Sequence, residues 1–214
     1  MCARLTDLSA RRPLATRSTA WARALAASLA RGGASPNAIS VASLVFAAFG
    51  SLALLAQPSM ATLLATAACV QLRLLCNLLD GMVAVEGGRQ TPTGALYNEV
   101  PDRVADSLFL VALGYAVQAP WLGWFAALAA ALTAYIRVLG GSFGLAQDFR
   151  GPQAKPHRMA VLTAACVLGA FELEFNRSSY ALLAAAWVIA VGSVLTCVLR
   201  TRAIARALVE RGRA

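Results

Sequence analysis

Apolar runs separated by short polar or proline-bearing breaks cover most of the chain, at 38–57, 59–79, 104–118, 121–141, 159–171 and 179–199. A helix rises ~1.5 Å per residue and needs roughly 20 residues to cross the hydrocarbon core of a bilayer. Four of the runs reach that length unaided. The 104–118 run reaches it only if the polar stretch before it is also helical, and 159–171 must borrow residues on both sides. The pattern predicts an all-α integral membrane protein with six transmembrane helices. Before the first run, Trp21, Leu25 and Leu29 recur at i, i+4 and i+8 among Arg17, Arg23 and Arg31. That spacing predicts an N-terminal amphipathic helix lying in the interface, with arginines reaching lipid phosphates; the competing reading is a disordered basic leader. Ser35-Pro36-Asn37 punctuates the chain ahead of the first span. The expected organisation is a basic N-terminal segment over 1–35, a six-helix membrane domain over 36–200 and a basic tail over 201–214.

Composition agrees with this pattern. Hydrophobic residues make up 59% and charged residues 14% of the 214 positions, and the mean hydropathy is +0.64, too apolar for an ordinary soluble domain of this size. The first 35 residues lack the apolar core of a secretory signal, although a transit peptide has a similar composition. Six arginines stand against one acid before Pro36, and five arginines against Glu210 from Arg200 onward. By the positive-inside rule both termini read as cytoplasmic, in an inner (plasma) membrane protein. An even number of spans fits the same orientation. The net charge of +9 invites a nucleic-acid reading, but the basic residues lie at membrane edges without interleaved aromatics, which points to anionic headgroups and away from nucleic acid. The five cysteines have no zinc-ligand spacing.

The chemistry is concentrated in NLLDGMVA, residues 77–84, and TGALYNEVPDRVAD, residues 93–106. An ionisable group at mid-membrane costs roughly 2.5–3.5 kcal/mol on insertion scales, so these acids should face a cavity, a partner or water. On helices, Arg73, Asn77 and Asp80 share one face and Asn98, Asp102 and Asp106 share another, so two antiparallel helices can bring their polar faces together. Gly87-Gly88 suits the reversal between them, and Thr91-Pro92 has the form of a cap followed by a first-turn proline. Pro101, without an N–H, should disturb the helix beside Asp102. Clustered oxygen ligands suit Mg²⁺ or Mn²⁺, which bridge carboxylates to phosphates. For Asp80 and Asp102 the competing reading is a structural ion pair with Arg73 or Arg103.

These residues resemble the CDP-alcohol phosphotransferases, whose signature is D-x2-D-G-x2-A-R-x8-G-x3-D-x3-D. Asp80-Gly81, Ala84, Gly94 and Asp102 stand at its spacing, while Asn77, Val85 and Asn98 occupy positions of two aspartates and an arginine. The resemblance implies transfer of a phosphatidyl group from CDP-diacylglycerol to a small alcohol or alcohol phosphate, with release of CMP, at a two-metal site. It implies Asp102 as general base, metal at Asp80 and Asp102 with Asn77 and Asn98 as weaker ligands, nucleotide contacts at Gly81, Ala84 and Gly94, and a homodimer. Arg89, Arg137, Arg150, Lys155 and Arg158 are the expected phosphate or acceptor contacts, and Glu86 and Glu99 are acids near enough to compensate for the lost charge. Two other readings remain at this level: a relative that binds nucleotide or lipid without turnover, suggested by Asn77, Asn98 and Val85, and a small transporter.

Overall fold

A computed structural model describes residues 19–56, 58–85, 88, 91–175, 178 and 180–213. Among the described residues it has seven helices: α1 (Ala20–Arg31), α2 (Pro36–Leu55), α3 (Met60–Val85), α4 (Gly94–Ala116), α5 (Pro120–Ser142), α6 (Lys155–Phe175) and α7 (Tyr180–Arg211). The start of α2 follows directly from its sequence. The Ser35 hydroxyl accepts from the Ala38 amide at 3.1 Å, and Pro36 takes the first helical position, where a missing N–H costs nothing.

The two short apolar runs are completed as their length required. α4 begins at Gly94, so the polar stretch before Val104 is helical and continues unbroken through Pro101. α6 gains residues on both sides of 159–171. The cap of α4 differs from expectation: the helix starts after Thr93, whose side chain makes no cap bond, and Thr93 instead accepts from Asn37 on α2 at 3.5 Å. Thr91 and Pro92 form the turn ahead of it, with the Gly94 amide on the Thr91 carbonyl. Gly88 takes the left-handed conformation, φ +63°, that the α3–α4 reversal needs. The basic tail continues α7 as far as Arg211, whose guanidinium donates to the Phe143 and Gly144 carbonyls.

α2 to α7 close into a ring in the order α2, α3, α6, α7, α5, α4 and back to α2. Its interior is filled by residues such as Leu63, Val70, Phe109, Leu113, Leu162 and Leu182. α1 lies against α3, burying Ala22 and Ala26 on Leu78, Leu79, Met82 and Val83; Trp21 and Leu25 face outward. Four helices, α2, α3, α5 and α7, are long and apolar enough to cross a membrane. The outer surface carries exposed large apolar side chains, among them Phe49, Leu52, Leu128, Leu168 and Val191. Such a belt is what a bilayer solvates and water does not, so this is a membrane protein. Trp121, Trp124, Phe175 and Tyr180 are exposed at the end of the bundle where α5 and α7 begin and α6 ends, in the manner of an interfacial aromatic belt.

Without a hydrophobic drive between helices in lipid, close backbone approach at small residues carries much of the packing. Gly114 of α4 and Gly123 of α5 are the tightest instance: a Cβ built on Gly114 would lie 2.5 Å from the Gly123 Cα. Backbone cannot yield as a side-chain tip can. Gly114→Ala is therefore expected to destabilise the fold by about 1–3 kcal/mol, the usual range for overpacking, read as a lower thermal midpoint in detergent. Gly141→Ala, with nothing within 4 Å of the new methyl, should leave the midpoint close to wild type.

Candidate active site

The two polar faces meet, and they do so at the end of the bundle where α3 and α5 finish and α4 and α6 begin. Arg73, wholly buried, reaches Asp106 at 2.7 Å and Asp102 at 3.3 Å through one terminal nitrogen. Asn77, one helical turn further along α3, donates its amide to Asp102 Oδ1 at 2.8 Å. Lys155, the first residue of α6, donates to Asp102 Oδ2. Both oxygens of Asp102 thus accept from donors on two other helices. Asp106 is held on its far side by Arg158, also wholly buried, at 2.9 Å, and Arg158 is itself steadied by the Gln153 carbonyl and the Thr133 hydroxyl.

Asp80 is buried beside this chain and accepts from Ser40 of α2 at 2.5 Å. Asn98 is exposed at the opening. Gly81 and Ala84 lie half-buried on the last turns of α3, and Gly94 opens α4, so the three small residues sit at the same end as the acids. At the rim, Glu99 pairs with Arg103 at 3.3 Å and with Arg137 at 2.5 Å. Arg137 also donates to Gln147 and lies 5.4 Å from the centre of the Phe149 ring.

Of the basic residues expected at phosphates, Arg137 and Lys155 stand at the opening, Arg150 is exposed on Asp148, and Arg158 is inside the bundle on Asp106. Arg89 and Glu86 lie outside the described residues. The ion pair between Asp102 and Arg73 that competed with a catalytic reading is present, as a weaker contact with Arg103 at 3.8 Å is too. Two partners had no distinctive signal in the sequence. Ser40 is one small polar residue inside an apolar span. Arg200 reads as the first charge of the tail, yet it is buried and donates to the carbonyls of Thr133 and Arg150.

No three of His, Cys, Asp and Glu come together as a metal site among the described residues. The donors at hand are two carboxylates, Asp80 and Asp102, and the amide oxygens of Asn77 and Asn98. These are hard oxygen ligands of the kind Mg²⁺ and Mn²⁺ accept, and such ions complete their shell with water and substrate phosphate. The donor chemistry fits one divalent ion.

Removing Asp106 would strand Arg73 and Arg158, neither with any other carboxylate as close. Breaking a buried pair from one side costs about 3–5 kcal/mol, so Asp106→Asn is expected to lower the thermal midpoint and the yield of folded protein markedly. An unchanged midpoint would remove Asp106 from the framework.

Comparison with known proteins meets this geometry. The CDP-alcohol phosphatidyltransferase family model matches residues 34–199. The archaetidylinositol phosphate synthase of Aeropyrum pernix is 31% identical over 150 residues, 70% of this chain and 75% of that protein. The phosphatidylinositol phosphate synthase of Mycolicibacterium smegmatis is 27% identical over 85% of this chain and 82% of its own. The phosphatidylinositol phosphate synthase of Mycobacterium tuberculosis, solved in complex with manganese and citrate, superposes with a TM-score of 0.73 at 25% identity, covering 86% of this chain and 88% of that one. The same enzyme with CDP-DAG bound superposes with a TM-score of 0.72 at 24% identity, over 86% of this chain and 92% of that one. With its signature acids gathered at one end of a ring of helices, the chain belongs to the CDP-alcohol phosphatidyltransferase family, enzymes that transfer substituted phosphate groups.

Proposed function

We propose that this enzyme transfers a phosphatidyl group from CDP-diacylglycerol to a phosphorylated small alcohol, releasing CMP, with an inositol phosphate as the first acceptor to try. The observation that carries the reading is that Asn77, Asp80 and Asp102, at the family's spacing, lie at one end of the bundle, with Asn77 bonded to Asp102. The acceptor class draws on the relatives, which are named for phosphatidylinositol phosphate and archaetidylinositol phosphate. The architecture around the site is read as six spans, α2 to α7, each at least 20 residues long, over 36–200. α1 is read as an interfacial helix: Ala22 and Ala26 face α3 while Trp21 and Leu25 face outward. With Arg23 and Arg31 before α2 and Arg202, Arg206 and Arg211 at the end of α7 on the same side as the site, that end faces the cytoplasm of a plasma-membrane enzyme. A homodimer is the assembly in view.

In this reading Asp80 and Asp102, with the amide oxygens of Asn77 and Asn98, would hold one Mg²⁺ or Mn²⁺, which when bound supplies neutralisation of the diphosphate and polarisation of the leaving CMP. The chain's own residues do the rest. The absence of side chains at Gly81 and Gly94, and the small one at Ala84, let the cytidine diphosphate approach the helix backbones. Asp102 accepts the proton of the acceptor hydroxyl as that oxygen attacks phosphorus, and Arg73 and Asn77 hold its carboxylate in place. Arg137 faces the opening on a short tether of Glu99 and Gln147 and can exchange a rim partner for an acceptor phosphate.

Purified protein should release CMP from CDP-diacylglycerol in the presence of inositol phosphate and Mg²⁺ or Mn²⁺. Asp102→Asn should slow this by about 10²–10⁴-fold, the range of a general base, while remaining folded. Folded wild-type protein that binds donor but frees no CMP with any alcohol or alcohol phosphate would mean a binding protein without turnover. Arg137→Ala should raise KM for a phosphorylated acceptor by roughly tenfold or more, as loss of a charge-assisted contact does, and leave KM for CDP-diacylglycerol near its original value. Equal effects on both would place Arg137 elsewhere in the mechanism.

A further inference from the structure

Lys155 opens α6, where the helix dipole makes a cation unfavourable. Its ammonium is nevertheless turned inward to Asp102 of α4, 53 positions away in sequence. It remains 24% exposed there, against 0% for Arg73 and 1% for Arg158, so a ligand at this end of the bundle can touch it, as it can Arg103, 26% exposed and 3.8 Å from the same oxygen. With Arg103, 3.8 Å from Asp102, set against its closer partner Glu99 at 3.3 Å, the charges of the cluster balance. Asp80, Asp102 and Asp106 carry three negative charges, and Arg73, Lys155 and Arg158 carry three positive ones. The amide of Asn77 donates to Asp102 Oδ1, where a carboxylate at position 77 would repel it.

We propose that Lys155 is a built-in cation that serves at Asp102 in place of a second divalent ion, so that the chain operates with at most one metal ion and binds the diphosphate partly through this ammonium. Two ions would add four positive charges to a neutral, largely buried cluster with two carboxylates open to coordination. One ion, shared by Asp80, Asp102 and the amide oxygens, leaves a charge that the substrate's diphosphate cancels. The asparagines and the lysine form one compensated set: charge lost from the ligands is matched by the fixed cation. A point charge on a flexible stem also suits contact with a phosphate whose position shifts during transfer.

The inference rests on the phosphotransferase reading, but its first readout does not. Mn²⁺ bound to the purified full-length protein, counted by equilibrium dialysis and by the Mn²⁺ EPR signal, should reach no more than one per chain, in the absence and presence of CDP. The variant Asn77→Asp/Asn98→Asp/Lys155→Met should bind two. Lys155→Met alone should keep the wild-type count while CMP release falls by about 10²-fold, the scale for removing one preorganised charge donor, and Lys155→Arg should recover most of that loss. Two Mn²⁺ ions per wild-type chain, or Lys155→Met releasing CMP at the wild-type rate, would overturn the proposal. CMP release from a two-ion wild type would sink the role of Lys155 and spare the enzyme. Should the wild type release no CMP with any metal, the transferase reading falls, and the Mn²⁺ counts of the wild type and the triple variant still decide whether Asn77, Asn98 and Lys155 together hold the site to one ion.

Discussion

The row of charges from Lys155 through Asp102, Arg73 and Asp106 to Arg158 is the interaction on which the rest of this structure depends. Each of these groups would be expensive in a bilayer without an opposite charge beside it. Together they satisfy one another, and because they come from α3, α4 and α6 they set the relative register of those three helices. A slide by one turn would carry a buried guanidinium past its carboxylate into hydrocarbon. The apolar interior tolerates repacking among Leu, Val and Ala far more readily than this row tolerates the loss of one member.

The same row surrounds the two acids that stand at the family's spacing, Asp80 and Asp102. At the end of a membrane bundle, a buried arginine, an amide and an ammonium hold Asp102. Asp80 is secured separately by Ser40 on α2. The structural ion pair expected of Asp102 with Arg73 is present. Arg73 and Arg158 make Asp106 a framework residue, and the same Arg73 presents Asp102 toward the opening.

Much of the fold was readable along the chain. The apolar runs located the helices, and the two short runs, 104–118 and 159–171, stated in advance what they would need to become full-length. Both found it in neighbouring polar residues, since a helix continues through charged positions once their side chains have partners. The cap at Ser35 and the left-handed Gly88 were local matters of backbone geometry and were equally legible. Thr91-Pro92 was not: the helix begins only after Thr93, whose hydroxyl is engaged by Asn37 on another helix.

Spacing alone was enough to put Asn77 and Asp80 on one face and Asn98, Asp102 and Asp106 on another, and to mark this end of the bundle as the candidate site, because helical periodicity is a property of the local chain. Partner choice is not local. That Lys155 reaches Asp102, that Arg158 is buried on Asp106 rather than free for a phosphate, and that Ser40 and Arg200 are buried in polar contacts were decided only when the ring closed. Contacts spanning 40 to 67 positions depend on which helices become neighbours. Side chains of identical type along the sequence acquire different roles from the depth and company that this packing assigns them.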